Sequence, residues 1–359
     1  MQDVEAAKDE RRGLIVRERE PVNLESPFEE LNELLTPNDL FYVRSHFAAP
    51  QIEADGFELR VGGAVENPFA IGYAELRSMP SITRMVTLEC AGNGRLFLTP
   101  QVEGVQWGLG AVGTAEWTGV ALSVLLDRAK IAKNAAEIVL EGADKGTPKE
   151  KPTPAGEIRY ARSVERARAD DVLIAWAMNG ADLTRDHGFP LRAIVPGHYG
   201  MASVKWLADV RVVREPFAGY FQTTDYAYWA EQEGNPVRRP LSSMKLKSSI
   251  ARPRMREKVK AGSRYMVFGA AWSGEADLVR VEVSSDGGRS WAAAEMLDKP
   301  RPFVWRRWQF AWDAPDVTGI CVLKSRATDA RGNVQPEEHD ERFGSYVVDH
   351  VVGVEVEVR

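Results

Sequence analysis

Residues 85–95, with the sequence M-V-T-L-E-C-A-G-N-G-R, decide how the rest of this chain is interpreted. Their first four residues are apolar or β-branched and predict a buried strand, which Gly92 and Gly94 end in a turn. Cys90 is therefore expected at the end of a strand, where glycine lets the backbone approach a ligand closely. A thiolate is a soft metal ligand, and the nearby Arg95 would lower the pKa of the thiol and attract an anion. Taken alone, Cys90 could equally be a small buried hydrophobe, as free cysteines often are.

Residues 88–95, L-E-C-A-G-N-G-R, closely resemble the molybdenum-ligand motif of the sulfite oxidase family. In that family the cysteine binds molybdenum, and a pyranopterin dithiolene supplies two further sulfurs. The resemblance implies that Cys90 is the metal ligand of a molybdopterin cofactor. It extends over roughly residues 36–359.

Residues 41–46, F-Y-V-R-S-H, alternate like a strand that carries Arg44 and His46 on one face. Such side chains are often merely solvated. The hexapeptide is similar to a family element, and this implies that Arg44 lines the substrate pocket and His46 contacts the pterin. Trp107 would ordinarily be a core residue, but the resemblance implies a place in the active site. The loop before it is slightly shorter than in animal members, and Gly94 replaces an arginine that they carry.

A second polar segment follows a predicted buried strand at residues 172–175. His187 and Arg192 precede one strand, and Ser203 and Lys205 follow a glycine-containing loop. Cationic and hydroxyl donors around such loops suit a phosphate-bearing cofactor, although a self-contained loop network would have the same residues. The segment resembles the pterin-binding segment of the family, which implies that all four residues bind the cofactor.

Two further site residues rest on the resemblance alone. Tyr226 follows an aspartate, as the catalytic tyrosine of the family does, and Tyr228 stays open as the alternative. Residues 301–308 resemble a segment that lends an arginine to the substrate pocket. Arg301 is the first choice for this arginine and Arg306 is the second.

From residue 241 onward, short alternating runs separated by turn signals predict an antiparallel β-sandwich. With the resemblance, the predicted fold class is α+β, a mixed α/β molybdopterin-binding domain of the sulfite oxidase fold followed by an immunoglobulin-like β-sandwich. The predicted boundaries are 1–35 for an N-terminal extension, 36–238 for the catalytic domain and 239–359 for the dimerisation domain.

Composition limits the remaining possibilities. A chain of 359 residues with 44% hydrophobic residues can bury the cores of two domains, and its net charge of −6 argues against nucleic-acid binding. No apolar run predicts a membrane span or a signal peptide, so a cytoplasmic protein is expected, or a periplasmic one if a leader has been removed. Two distant cysteines and five scattered histidines give no support to a zinc or haem site.

The resemblance implies a homodimeric molybdenum oxidoreductase that oxidises sulfite, or a related small oxyanion, by oxygen-atom transfer. Because no haem domain is recognisable, electrons would pass to an external acceptor, either a cytochrome c-type protein or oxygen. A sulfane dehydrogenase, a nitrate or sulfoxide reductase and a non-catalytic binding protein remain open as alternatives.

Overall fold

A computed structural model of the chain describes residues 13–149 and 152–359. Residues 1–12 of the predicted N-terminal extension therefore lie outside the described residues. The helices and strands, in chain order, are β1 (Ile15–Glu18), β2 (Asn23–Glu25), β3 (Glu58–Gly63), β4 (Phe69–Gly72), α1 (Tyr73–Ser78), β5 (Ile82–Glu89), β6 (Val112–Ala121), α2 (Leu122–Ala129), β7 (Glu137–Gly146), β8 (Ile158–Glu165), β9 (Leu173–Met178), β10 (Ala181–Asp182), β11 (Arg192–Ile194), β12 (Leu207–Val213), β13 (Ala227–Gln232), β14 (Asn235–Pro240), β15 (Lys247–Arg252), β16 (Lys258–Val259), β17 (Arg264–Trp272), β18 (Leu278–Ser284), β19 (Ala292–Ala293), β20 (Glu295–Met296), β21 (Arg306–Asp313), β22 (Gly319–Asp329) and β23 (Val354–Val358).

One antiparallel sheet and one mixed sheet organise the first part of the chain. One has the order β10-β9-β6-β5, with β11 also paired to β9, and the other has the order β4-β3-β12-β7-β8. Their strand pairs are antiparallel except for β3 with β12. Helix α2 closes the core with Leu122, Leu125 and Leu126, because these residues recur on one buried face.

Strand β5 delivers the cysteine turn. Its last four residues are buried and pair with the start of β6, as the apolar run predicts. Cys90 then donates its N–H to the carbonyl of Ala111 at 2.9 Å, and Asn93 donates to the carbonyl of Cys90 at 2.9 Å. Gly94 has a φ of 98°, a left-handed conformation that favours glycine. The predicted strand and turn are therefore both present.

The second part of the chain is a β-sandwich, as predicted. Its sheets have the orders β15-β17-β21-β20 and β16-β23-β22-β18-β19, and only the pair β16–β23 is parallel. The sheets enclose an apolar core that contains Trp308, Trp312, Val281 and Leu323. The predicted fold class, a mixed α/β domain followed by a β-sandwich, is thereby confirmed, while its immunoglobulin-like character stays a prediction.

The sandwich packs directly on the first part of the chain. Trp305 donates its main-chain N–H to Thr87 Oγ1 and its indole N–H to the Leu34 carbonyl, both at 2.8 Å. Trp272 lies 6.5 Å, centroid to centroid, from the ring of Phe28. These contacts make the sandwich part of the wall behind β5. None of the described helices has the length and apolar character needed to cross a bilayer.

Candidate active site

Cys90 lies where two cavities meet, and Arg44 and Tyr226 line both of them. We call the deeper cavity the inner cleft and the other, of about 430 Å³, the outer pocket. The inner cleft is also lined by His46, Asp144, His187, Arg192, Ser203 and Lys205. The outer pocket is also lined by Arg95, Glu103, Lys149, Asp225, Ser345 and Tyr346. Nine of the eleven site residues predicted above therefore surround one point of the fold.

The pKa of the Cys90 thiol is set by burial more than by the charged residues around it. Burial raises its pKa above the ordinary value, although Arg44, Arg95 and the N–H of Gly92 act in the opposite direction. Arg95 lowers this pKa, as expected, but burial outweighs the nearby charges and the net shift is upward. A buried thiolate here needs a further positive partner, which a bound metal ion would supply.

Two arginines supply fixed positive charge beside Cys90. Arg95 is buried and donates from Nε to the Ser345 carbonyl at 2.9 Å and from Nη1 to the Val105 carbonyl at 2.7 Å. Arg44 donates to the carbonyl of the residue that follows it. Burial tends to lower the pKa of Arg44, but Tyr226 and Cys90 raise it above the ordinary value, so the guanidinium stays charged.

Residues 41–46 form an isolated bridge, from Val43 to Leu24, rather than the predicted strand. Arg44 and His46 still line the same cavity, as do the other four residues of this segment. The ring of His46 stacks on that of Tyr160 at 4.6 Å. Burial, followed by Arg44 and Lys205, holds the pKa of His46 well below its usual range.

Tyr226, not Tyr228, reaches the site. A π-helical turn over Phe221–Asp225 precedes it, and such turns often occur at functional sites. The Tyr226 hydroxyl lies 2.7 Å from His46 Nε2, while Tyr228 packs on Phe343 and lines neither cavity. Burial raises the pKa of Tyr226 well above its ordinary value, so its phenol is neutral and able to donate.

The inner cleft holds cations that donate mainly to main-chain carbonyls. Arg192 donates to the carbonyls of His187 and Ser203, and Lys205 donates to the carbonyl of Asp186 and to Ser45 Oγ. Burial lowers the pKa of Arg192 to about 10. Burial, followed by Arg192, also lowers the pKa of Lys205.

The donor set of the inner cleft fits a phosphate-bearing pterin. Within residues 13–149 and 152–359, the buried Nε of Arg192 and Oδ1 of Asp144 have no hydrogen-bond partner. Such atoms destabilise a fold unless a ligand satisfies them. A pair of buried cations together with a thiol in the same cleft suits a phosphorylated, metal-binding organic group.

Arg301 and Arg306 are not brought to Cys90. The guanidinium of Arg301 lies 3.9 Å from Met85 Sδ on β5, which is roughly 16 Å along an extended strand from Cys90. Arg306 donates to the carbonyls of Asp298 and Leu278, and both arginines line a separate pocket. The reason is that this segment crosses β5 at Met85 and Thr87, before the strand reaches Cys90.

Trp107 is a core residue in this structure. Its side chain is fully buried in the apolar cluster that also contains Cys90, and its ring lies 6.5 Å from that of Tyr42. It lines neither the inner cleft nor the outer pocket. The ordinary expectation for a buried tryptophan therefore describes its position better than the family role does.

Sequence reasoning missed the residues that the sandwich contributes to the outer pocket. Ser345 and Tyr346 lie in an irregular segment between β22 and β23, which has neither alternation nor a recognisable motif. Tyr346 donates its hydroxyl to Asp225 Oδ1 at 2.5 Å. An exposed-looking Gly-Ser-Tyr sequence offers no local signal for such a position.

Comparisons with known proteins agree with this geometry. The family model described as an oxidoreductase molybdopterin-binding domain matches residues 46–221, and the Mo-co oxidoreductase dimerisation domain matches residues 238–346. The fold and site thus define a molybdopterin-dependent oxidoreductase.

The relatives narrow this class. The chain is 35% identical to the sulfite oxidase of Gallus gallus over 342 residues, which cover 90% of this chain and 73% of that protein. It is 31% identical to the Arabidopsis thaliana sulfite oxidase, with 90% and 88% covered, and 35% identical to the human mitochondrial enzyme, of which it spans only 62%. The sulfane dehydrogenase SoxCD of Paracoccus pantotrophus superimposes with a TM-score of 0.81 at 26% identity, over 95% of this chain and 88% of that one. The chain belongs to the sulfite oxidase family.

Proposed function

We propose that this protein oxidises sulfite to sulfate, with Cys90 as the protein ligand of molybdenum and the pterin in the inner cleft. The observation that carries the proposal is the position of Cys90 between a cation-rich cleft and an arginine-lined pocket. The overall reaction adds one oxygen atom from water to sulfite and releases two protons and two electrons. When bound, molybdopterin supplies the oxygen-atom transfer and accepts the electron pair.

The outer pocket binds the anion. Arg44 and Arg95 present fixed charge next to Cys90, and Lys149 adds a cation at the rim. Clustered cations can raise the association rate of an anion by roughly 10- to 1000-fold even on a protein of the same charge sign. The net charge of −6 is therefore compatible with an anionic substrate.

Tyr226 and His46 orient the reacting groups. The Tyr226 phenol and the His46 ring share one hydrogen bond, and both residues are neutral by the pKa directions given above. A neutral phenol can donate to an oxygen atom at the mouth of the cleft without adding charge there. We therefore assign Tyr226 a hydrogen-bonding role and give protons released by the reaction to water in the open pocket.

His187, Arg192, Ser203 and Lys205 hold the cofactor. The two cations would bind its phosphate by charge-assisted hydrogen bonds, which are about twice as strong as neutral ones. Burial of His187 lowers its pKa to about 3, so a neutral ring faces the cofactor. Ser203 Oγ accepts the N–H of Val195 at 3.0 Å, which leaves its own hydrogen free to donate.

Several finer expectations belong to this proposal. The dimerisation domain supports a homodimer. Electrons would leave to an external acceptor, a cytochrome c-type protein or oxygen. The two cysteines, Cys90 and Cys321, are free thiols, which suits a reducing cytoplasm; a periplasmic location is the alternative. The likeness to SoxCD supports oxidation of a sulfane as the second candidate function.

The decisive test is sulfite-dependent reduction of ferricyanide by protein whose molybdenum content is known from elemental analysis. We expect turnover that scales with molybdenum, together with little or no turnover of a persulfide substrate. A molybdenum-loaded protein that is inert to sulfite but oxidises the persulfide would replace the first function with the second.

A further inference from the structure

We infer that Tyr346 is a specificity-determining residue of the outer pocket, through which the sandwich offers an anion a neutral phenol wall instead of a third guanidinium. This inference rests on the proposed function, because it concerns the same pocket. The resemblance implied an arginine from the sandwich. Within the described parts of the chain, the sandwich residues that line this pocket are Ser345 and Tyr346.

The main chain holds Tyr346 in place on both sides. Before it, the Ser345 carbonyl accepts from Arg95 Nε at 2.9 Å. After it, the N–H of Val347 donates to the carbonyl of Ala91 at 2.8 Å, within the cysteine turn. Three consecutive residues of the sandwich are therefore attached to the site, and the phenol between them has a fixed position.

The side chain of Tyr346 contacts the groups that would meet the substrate. Its ring lies 4.9 Å from that of Tyr226, and Arg95 Cζ lies 5.2 Å from its centroid, within the range of a cation–π interaction. Its hydroxyl donates to Asp225 Oδ1 at 2.5 Å. Tyr346 thus touches an arginine, the tyrosine and a carboxylate of the same pocket.

Charge decides what this arrangement does. The described cations that line the pocket are Arg44, Arg95 and Lys149, and its acids are Glu103 and Asp225. A hydroxyl that donates to Asp225 partly neutralises a carboxylate that would otherwise repel an anion. Because Coulomb energy is proportional to the charge of the ligand, this effect discriminates between dianions and monoanions.

The test is Tyr346→Phe, which keeps the ring and removes the hydroxyl. Because the Asp225 carboxylate then repels the anion more strongly, we expect the KM for sulfite and the Kd for sulfate to rise about tenfold. The Kd for nitrate should rise only about threefold, since a monoanion feels half of the energy. We expect kcat to change less than twofold. Sulfate and nitrate binding to the molybdenum-loaded protein is measured by calorimetry, so the result does not depend on turnover.

Two further variants serve as a control and as a second test of the charge effect. Tyr265→Phe is the matched control, because Tyr265 donates to Glu257 Oε1 at 2.7 Å on the sandwich, away from the site, and it should change none of these constants. Asp225→Asn removes the repelling charge and should tighten sulfate binding more than nitrate binding, which keeps the inference testable if Tyr346→Phe does not fold.

The outcomes separate the two proposals. Unchanged anion affinities in Tyr346→Phe, or equal changes for sulfate and nitrate, would overturn the role of Tyr346 even if sulfite turnover is intact. The opposite result is also informative. If Tyr346→Phe weakens sulfate binding more than nitrate binding but the wild-type protein oxidises no sulfite, the role of Tyr346 stands and the proposed function is overturned.

Discussion

The two sides of the cysteine turn differ in how their buried charged side chains are hydrogen-bonded. Behind the turn, Lys247 Nζ lies 3.1 Å from Glu89 Oε1 and donates to the Asn93 carbonyl at 2.8 Å, while Trp272 donates its indole N–H to Glu89 Oε2 at 2.8 Å. Both charged side chains are only 2% exposed. In front of the turn, the buried cations of the inner cleft donate mainly to main-chain carbonyls. Arg192 Nε has no hydrogen-bond partner among the described residues.

This difference suggests that the residues behind Cys90 stabilise the fold, whereas those in front of it bind a ligand. A buried network whose members are all satisfied makes a conformation rigid, whereas a partly satisfied one destabilises the protein until a ligand completes it. We infer that the rear network, Glu89, Asn93, Lys247 and Trp272, fixes the turn, and that the front is left incomplete for the cofactor. The sandwich serves both sides, with Lys247 behind the turn and Tyr346 in front of it.

The largest effect should follow from a change at the front of the turn. Cys90→Ser replaces a soft sulfur ligand by a hard oxygen and should reduce molybdenum-normalised sulfite turnover by at least about 1000-fold, equivalent to about 4 kcal/mol. The cofactor-free protein should unfold at nearly the same temperature as the wild type. Cys321→Ser, on strand β22 of the sandwich, is the matched control and should keep full activity. A Cys90→Ser variant with full molybdenum-dependent activity would disprove the ligand assignment.

The second effect concerns the rear network and should appear in stability rather than in chemistry. Lys247→Met leaves the Glu89 carboxylate buried without its cation, which typically costs about 3–5 kcal/mol of unfolding free energy. The additional change Glu89→Gln should recover much of this loss, because the unpaired charge is gone. Urea unfolding of the cofactor-free protein measures both.

The control for this pair is an ion pair at the surface. Arg264 and Asp313 lie 2.8 Å apart but are largely exposed, so Arg264→Met should hardly change the unfolding midpoint. If Lys247→Met were as mild as Arg264→Met, the rear network would not be the rigid support inferred above.

Local sequence determined what could be predicted about this site. The strand and turn around Cys90, and the segment from His187 to Lys205, carry their own patterns of apolar residues, glycines and donors, and the structure brings them together. Arg301 was misplaced because its position depends on how the sandwich packs across β5, and no local pattern specifies that packing. The effect of Arg95 on the pKa of the Cys90 thiol could be predicted locally, but the larger effect of burial could not, since burial depends on the whole fold.

The smallest effect is a pH dependence that arises at the front. Burial, followed by Arg192 and Lys205, lowers the pKa of His187 to about 3, whereas an unfolded histidine titrates near 6.5. Between these pH values the unfolded chain binds more protons than the folded one, so the free energy of unfolding decreases as pH falls through this window. One histidine contributes at most about 1.4 kcal/mol per pH unit to this slope.

His187→Gln removes that contribution, so urea unfolding of the cofactor-free variant between pH 4 and 6 should show a shallower slope than the wild type. Loading the cofactor should flatten the wild-type slope in the same direction, because an anion beside His187, Arg192 and Lys205 favours the protonated ring. Parallel slopes for the variant and the wild type would mean that His187 is not held neutral by its neighbours. A slope unchanged by the cofactor would mean that no anion binds beside this histidine. The hydrogen-bond network in front of the turn would then not depend on a ligand, like the network behind it.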